Sequence, residues 1–362
     1  SMLTAAGAAA ATGVRVFSAT SSQGLLHAME MLYTVAGWRA PFVLVNVSRG
    51  LSAPITLEAD HNDILAARDS GFLQIHCASC QEVVDGVLIA YRLAEDPAVR
   101  LPVMVNLDGF YLSFTREPVD IPAVESAAAF LPPFDPGSIR FSASAPESQA
   151  VAVLGGGPYS YFRYETHLAA MNAIGVFERI ATEYKTLFAR EFAAIETYHT
   201  DDAEIVFYII GSFASKARDA VDRLREQGQR VGLVRPRLLR PLPVDAIAEA
   251  LIGVQGVAVV DQNLSMGQGG VLHTELSAAM YSRVGAPSII CSFIGGLGGR
   301  EIAPEEFYQM VEVTRQALVS GEAPPARLLY TETELREVRK LQSVAKVERD
   351  ETSAALKGVK HE

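Results

Sequence analysis

Apolar positions along this chain recur with two periods. Val14, Val16 and Phe17 make a short β-branched and aromatic run, and Leu25, Leu26, Met29, Leu32, Tyr33 and Ala36 then repeat at helical spacing. Between the two lie Thr20-Ser21-Ser22-Gln23-Gly24, which are small or polar. The pattern predicts a strand at Val14–Phe17, a tight turn, and a helix over Ser22–Val35. Such a turn sets hydroxyls and free backbone N–H groups at a helix N-terminus, outside the carboxyl end of a strand. Open α/β sheets bind their ligands there. The plainer alternative is that Ser21 or Ser22 is only an N-cap.

The alternation continues to residue 118. A helix from Leu3 to about Thr12 precedes the first strand, and a strand at Phe42–Val47 follows the second helix. An irregular segment, Ser48 to Ser70, carries Arg49, Asp60, His61, Asp63 and Arg68. Then come a strand at Phe72–His76, a helix over Gln81–Ala94 and a strand at Pro102–Leu107 that ends in Asp108-Gly109. Repeated strand–helix–strand units imply a mostly parallel sheet with helices on both faces.

From Glu117 to about Gln149 the chain turns rich in Pro, Ser, Ala and Gly, yet it holds Phe130, Phe134 and Phe141. It reads as an ordered linker or lid. A helical insertion is expected from Tyr159 to about His199, with Leu168, Met171, Ile174, Phe177, Ile180, Tyr184 and Phe188 at helical spacing. A second α/β unit follows from Ala203 to about Ser320. Its expected strands are Ile205–Ile210, Arg230–Val234, Val257–Val260 and Ser288–Phe293, and its helices Ala214–Gln227, Val244–Ile252, Gly270–Val284 and Pro304–Val319. The fold class is therefore α/β, with two open, mostly parallel sheets. The division is 1–118, a linker and insertion over 119–202, a second domain over 203–320, and a charged tail over 321–362. The tail reads as a solvated arm or one that wraps a neighbouring subunit.

Composition narrows the function classes. The chain has 362 residues, 49% of them hydrophobic and 20% charged, which describes a globular protein. A net charge of −11 makes nucleic acid and anionic membrane poor partners for the surface as a whole. No apolar run reaches the ~18 residues that span a bilayer. The opening residues Ser1-Met2-Leu3-Thr4 lack a basic stretch of the secretory kind. Three cysteines are too few for a disulfide framework and point to the cytoplasm. Cys77 and Cys80 form a CxxC beside His76, but no second pair completes a four-cysteine set. They read as small apolar thiols where a strand meets a helix, so this chain is expected to hold no iron–sulfur cluster or metal of its own.

Three glycine-rich stretches invite a dinucleotide reading: 155–157, 267–270 and Gly295-Gly296-Leu297-Gly298-Gly299-Arg300. None follows a first strand with an acidic residue about 20 positions on, as the dinucleotide fingerprint requires. Tight turns with close backbone approach are the plainer account. More informative is Arg49, just past a buried strand at the sheet end that should match the Thr20–Ser22 turn. A guanidinium there suits a carboxylate, through two parallel charge-assisted hydrogen bonds. An ion pair with Asp60, Asp63 or Asp69 would account for it equally well.

Several ordered motifs resemble one family. Phe17-Ser18-Ala19-Thr20-Ser21-Ser22-Gln23-Gly24-Leu25, Ser48-Arg49-Gly50-Leu51-Ser52-Ala53-Pro54, Asp60-His61-Asn62-Asp63, Ala67-Arg68-Asp69-Ser70-Gly71-Phe72 and Leu107-Asp108-Gly109-Phe110 are similar to the alpha subunit of 2-oxoacid:ferredoxin oxidoreductases. So are Ile210-Gly211-Ser212, Arg237-Leu238-Leu239-Arg240-Pro241, Asp261-Gln262-Asn263-Leu264-Ser265 and Gly296-Leu297-Gly298-Gly299-Arg300. The resemblance implies a first domain of the thiamine diphosphate pyrimidine-binding type and a second of the transketolase C-terminal type. It implies a cofactor shared with a beta subunit that brings the pyrophosphate domain and Mg²⁺, and [4Fe–4S] clusters on partner subunits. The reaction it implies converts a 2-oxo acid and coenzyme A to acyl-CoA and CO₂, with electrons passing to ferredoxin or NAD. Arg49 would hold the substrate carboxylate, and Thr20, Ser21, Ser22 and Gln23 would line the cofactor pocket.

Two departures stand out. The family's glutamate at the aminopyrimidine ring falls just before Ser1, so the sequence looks truncated or split at its start. A non-catalytic scaffolding subunit is the alternative reading. The family's Ser-His after Asp-Gly-Phe is Ser113-Phe114 here. A phenyl ring in place of an imidazole implies a bulkier, less polar substrate, such as the aromatic phenylglyoxylate beside pyruvate, unless Phe114 serves packing alone.

Overall fold

The computed structural model describes residues 2–137, 140–148 and 152–358, with side chains to residue 351. Gln149, His361 and the last residues of the tail lie outside that range. Residues 1–327 form one compact unit holding two sheets, and 328–362 form another.

The first sheet has five strands in the order β1-β2-β4-β3-β8. These are β1 (Phe17–Thr20), β2 (Val43–Ser48), β3 (Leu73–His76), β4 (Val103–Asp108) and β8 (Leu238–Arg240). The first four run parallel, while β8 is antiparallel to β3. Five strands of the second sheet run in the order β10-β9-β6-β7-β5: β5 (Ile195–Tyr198), β6 (Ile205–Ile209), β7 (Val231–Pro236), β9 (Gly256–Asp261) and β10 (Ile289–Ile294). Only β5 is antiparallel among them.

The helices of the main unit are α1 (Met2–Ala11), α2 (Gln23–His27), α3 (Met29–Gly37), α4 (Asn62–Ala66), α5 (Cys80–Glu95), α6 (Val124–Phe130), α7 (Gly156–Phe188), α8 (Phe213–Glu226), α9 (Val244–Ala250), α10 (Val271–Met280) and α11 (Pro304–Ser320). A last helix, α12 (Glu332–Gly358), makes up most of the second unit and exposes Leu335, Val338, Leu341, Val344 and Val347 along its length.

Several elements differ from their sequence pattern. The first strand lies at Phe17–Thr20, three residues later than Val14–Phe17, because pairing with β2 sets its extent: Phe17 faces Val43 and Thr20 faces Asn46. The single helix expected over Ser22–Val35 is broken at Ala28, yet Leu25, Leu32 and Val35 remain fully buried. The segment from Ser48 to Ser70 contains α4. Residues 195–198, expected to be helical, form the edge strand β5 beside β7. Leu238–Arg240 crosses over to extend the other sheet, so the second half of the chain completes the sheet of the first.

Two apolar clusters fill the unit. One runs from Leu3, Leu25, Leu32 and Val35 through Ile64 and Leu239 to Val206, Tyr208, Val257 and Leu276, joining helices of the first half to strands of the second. The other packs β2–β4 and α5 against one stripe of α7: Ala169, Ala173, Phe177, Ile180 and Tyr184. Their spacing follows the helical repeat, so the 33-residue α7 buries one side along its later turns. Its first turns expose Tyr159, Tyr161, Phe162 and Tyr164.

A buried ionic cluster ties the halves together. Arg235, 2% exposed, binds Glu82 through Nη1 at 3.0 Å and Glu196 through Nε at 2.7 Å. Arg237 bridges the same two carboxylates at 3.0 and 3.1 Å. Burial opposes the charge on Glu82, but Arg235 and Arg237 outweigh it and hold its pKa down at about 2. Removing one member of such a cluster strands the others in a low dielectric. Arg235→Met should lower the unfolding free energy by about 3–5 kcal/mol in urea titrations followed by circular dichroism. A loss under about 1 kcal/mol, the range of exposed ion pairs, would show that solvent screens the cluster.

Candidate functional site

The carboxyl ends of β1, β2 and β4 lie side by side, and a row of polar residues aligns across the sheet near them. Thr20 pairs with Asn46, Asn46 with Asn106, and Asn106 with His76 of β3. A polar row therefore closes the sheet. Asn46 Nδ2 donates to Asn106 Oδ1 at 2.9 Å, and Asn106 Nδ2 lies 3.4 Å from His76 Nδ1.

The three turns beyond that row are stitched to one another. Ser21 Oγ donates to the Val47 carbonyl at 2.7 Å, and Ser22 Oγ to the Gly50 carbonyl at 2.9 Å. Gly109 N donates to the Ser48 carbonyl at 2.7 Å, and a Cβ on Gly109 would come within 2.6 Å of that same oxygen. Ser22 is fully buried at φ 47°, ψ −117°, a region costly for any residue but glycine. Its hydroxyl does not cap α2; it holds the neighbouring turn.

Of the residues singled out by sequence, Thr20, Ser21, Ser22 and Gln23 sit on the turn after β1, and Arg49 sits on the turn after β2. Ser21 and Ser22 spend their hydroxyls on backbone carbonyls. Gln23 does not: its Nε2 is enclosed without a partner. Arg49 Nε is likewise enclosed and unpartnered, and among the described residues no carboxylate pairs with this guanidinium. The three acids that could have neutralised it are engaged elsewhere. Asp60 Oδ1 accepts from Asn62 N at 2.7 Å, Asp69 lies 4.0 Å from Arg68, and Asp63 faces Ser22, Asn46 and Ser48. Phe114 is 75% exposed and stacks on Phe110, ring centroids 5.2 Å apart. Phe110, itself at φ 63°, follows Gly109 beside the Arg49 turn.

The second sheet presents its own carboxyl ends to this region. His61 Nε2 lies 2.7 Å from Asp108 Oδ1, while Asp108 Oδ2 accepts from Ser212 N at 2.7 Å and Ser212 Oγ at 2.6 Å. His61 N donates to the Gln262 carbonyl at 2.8 Å, and Tyr111 OH to the Gly299 carbonyl at 2.7 Å. The glycine-rich 295–299 stretch makes a close approach: Gly299 N donates to the Ala59 carbonyl at 2.8 Å, and a Cβ there would collide with Glu58. The CxxC thiols are likewise turned to backbone, Cys77 Sγ 3.3 Å from the Glu82 carbonyl and Cys80 Sγ 3.5 Å from that of Leu112. Among the described residues no cluster of His, Cys, Asp and Glu is placed to hold a metal ion.

Electrostatics at the junction are uneven. Burial disfavours charge on His61, but the Asp108 carboxylate more than offsets it and raises the imidazole pKa. Asp108, buried too, is held down by His61 and Ser212. For His76 the pull of Asp108 is outweighed. Burial, then the neighbouring His61 ring 6.1 Å away, push its pKa down to about 3. Asp63, Asp108 and the polar row went unread from sequence as parts of one site. Their signal was a run of charged residues inside a segment otherwise flanked by buried strands.

Two mostly parallel sheets thus meet at their carboxyl ends through residues 58–63, 108–111 and 211–213. The chain matches a 2-oxoglutarate:ferredoxin oxidoreductase from Magnetococcus marinus, solved with 2-oxoglutarate, coenzyme A and succinyl-CoA bound, with a TM-score of 0.56 and 17% identity over 86% of this chain. It spans 55% of that longer chain. Residues 1–183 match the family model described as pyruvate flavodoxin/ferredoxin oxidoreductase, thiamine diphosphate-binding, and residues 203–307 match pyruvate:ferredoxin oxidoreductase core domain II. Pyruvate synthase subunit PorA of Methanothermobacter thermautotrophicus is 42% identical over 316 residues, covering 87% of this chain and 80% of that one. Ketoisovalerate oxidoreductase subunit VorA of Pyrococcus horikoshii is 38% identical over 314 residues, covering 86% and 79%. The chain belongs to the pyruvate:ferredoxin oxidoreductase family, among the alpha subunits of 2-oxoacid:ferredoxin oxidoreductases.

The depressed pKa of His76 carries a sign. Between pH 6.5 and about 3 the unfolded chain binds a proton that the folded chain refuses, so this residue's contribution to stability falls as pH drops below 6.5. His76→Gln titrates at neither end. The gap in unfolding free energy between wild type and His76→Gln should therefore shrink by about 2 kcal/mol from pH 7 to pH 5. A constant gap would mean that the imidazole is charged when folded.

Proposed function

We propose that this chain is the substrate-binding alpha subunit of a thiamine diphosphate-dependent, coenzyme A-acylating 2-oxoacid oxidoreductase. The carrying observation is the Arg49 guanidinium, which among the described residues has no carboxylate partner although three acids lie nearby in sequence. Beside it, on the adjoining turn, Gln23 Nε2 is a second enclosed donor without an acceptor. Two unmet donors fit a group that accepts hydrogen bonds, and leaving them unmet costs the folded chain about 1–3 kcal/mol each.

Bound thiamine diphosphate supplies the carbanion chemistry of decarboxylation. The residues of this chain bind and orient. The Arg49 fork takes the substrate carboxylate through two charge-assisted hydrogen bonds, so the 2-oxo carbon is presented in one orientation. Gln23 donates to the cofactor, with Thr20, Ser21 and Ser22 forming the wall behind it. Phe114, stacked on Phe110, offers an aromatic face to the part of the substrate beyond the carbonyl. In this reading a beta subunit brings the pyrophosphate domain with its Mg²⁺. Iron–sulfur subunits carry the electrons to ferredoxin or NAD, and the complex works in the cytoplasm. Pyruvate and an aromatic 2-oxo acid such as phenylglyoxylate are the substrates to compare.

The test is steady-state kinetics of the purified complex with coenzyme A and a viologen dye as acceptor. Arg49→Ala should lower kcat/KM by about 100-fold or more, the worth of two hydrogen bonds to a charged group. Arg49→Lys, which keeps the charge but loses the fork, should fall between. An unchanged kcat/KM in Arg49→Ala rejects the reading.

Phe114→His should lower the ratio of kcat/KM for phenylglyoxylate over that for pyruvate by about tenfold, the scale on which an apolar pocket discriminates. An unmoved ratio would confine Phe114 to packing.

A further inference from the structure

One buried carboxylate sits behind both of the turns that carry the site. Asp63 is fully buried, and hydrogen-bond donors from both turns meet its carboxylate. Its Oδ2 accepts from Ser22 N at 3.0 Å, from Asn46 Nδ2 at 3.2 Å and, through a longer bond, from Arg49 N at 3.4 Å. Its Oδ1 accepts from Ile64 N at 2.6 Å and from the Ser48 hydroxyl. A single oxygen thus holds the backbone of the turn after β1 and the backbone of the turn after β2.

That link is doubled in the other direction, because Ser22 Oγ donates to the Gly50 carbonyl. Ser22 adopts its costly φ/ψ inside this loop of bonds, and such conformations persist only where the surroundings over-determine them. Among the described residues the Arg49 guanidinium, by contrast, has no hydrogen-bond or ionic partner, so the placement of its fork depends on where its backbone is fixed.

We propose that Asp63 is the positioning residue of the substrate site, setting the Arg49 turn against the Ser22 turn through its carboxylate oxygen. The inference rests on the reading of Arg49 given above, and it assigns the precision of that contact to a residue that never meets the substrate. The requirement is for an acceptor atom at this place, not for a charge. An amide can supply the acceptor, with its oxygen toward Ser22, Asn46 and Arg49 and its NH₂ toward Ser48, at the cost of the bond that Oδ1 accepts from Ile64 N.

A double-mutant cycle in the purified complex tests it, reading KM for pyruvate and, independently of turnover, the calorimetric Kd of oxamate, a carboxylate-bearing mimic of pyruvate. Asp63→Ala should weaken oxamate and raise KM on the order of 10-fold, the scale expected of a misplaced binding group, while Asp63→Asn recovers most of that loss. In an Arg49→Ala background Asp63→Ala should cost less than about twofold more, since its effect runs through the missing side chain. Hydrogen exchange should quicken in peptides spanning 18–25 and 46–52, with β9 unchanged. Should Asp63→Ala fail to fold, Asn46→Ser, which removes one donor to the same oxygen, carries the same cycle with a smaller loss.

Losses that multiply across the cycle, or oxamate binding indifferent to Asp63→Ala, overturn the inference and leave the function standing. An Arg49→Ala complex that binds oxamate as tightly as wild type overturns the functional reading, and this inference with it.

Discussion

The Asp108 carboxylate is the contact on which the rest of the arrangement depends. It ends β4 of the first sheet, lies fully buried, and accepts from His61 on one oxygen and, on the other, from Ser212 in the turn between β6 and α8. A buried charge is tolerated only when its lone pairs are met, so these partners cannot drift without stranding it. The geometry admits no side chain at position 211. A Cβ there would lie 2.7 Å from Asp108 Oδ2 and 2.8 Å from the His61 ring, and the backbone has φ +77°. Glycine at 211 is a condition for the two sheets to meet.

A second weld acts away from this junction. The cluster of Glu82, Arg235, Arg237 and Glu196 joins α5 to β7 and β5, and β8 passes from the second half of the chain into the first sheet. Together with the shared apolar cluster, these contacts make residues 1–327 one compact unit in spite of their two sheets. The carboxyl-end turns are then presented by a rigid frame. Rigidity matters there, since a group that recognises a carboxylate by a planar fork loses its advantage if the turn beneath it wanders.

Much of this was legible from the residues, and the gaps have physical causes. The alternation of periods located most inner strands, because buried parallel strands are continuous apolar runs bounded by turn residues. Edge elements were harder. β1 is half exposed, so its extent follows pairing with β2 and not the β-branched run before it. β8 is three residues long and belongs to a sheet more than 100 positions earlier in the chain, which no local pattern reveals. Arg49 and the Thr20–Gln23 turn could be picked out by residue type and place. The roles of their neighbours could not. The row Thr20, Asn46, Asn106, His76 exists only once strand register is known, and Asp63 reads in sequence as one acid among several.

Those acids decide what the guanidinium is left free to do. In a chain of net charge −11 an arginine beside Asp60, Asp63 and Asp69 would ordinarily be neutralised within the protein. Here each acid has a stronger claim on it. Asp60 turns its own loop, Asp63 takes backbone and side-chain donors from both site turns, and Asp69 lies beside Arg68. The loops around Arg49 also expose apolar side chains: Ile55, Leu57, Phe110 and Phe114 are 72%, 63%, 43% and 75% exposed. A half-buried cation with apolar neighbours and an enclosed, unmet Nε–H is an arrangement that a bound carboxylate relieves. Apolar surface of this kind also favours a covering partner, whose arrival would lower the local dielectric and strengthen the same ionic contact. Engaging Asp60, Asp63 and Asp69 internally is thus what keeps the Arg49 guanidinium available.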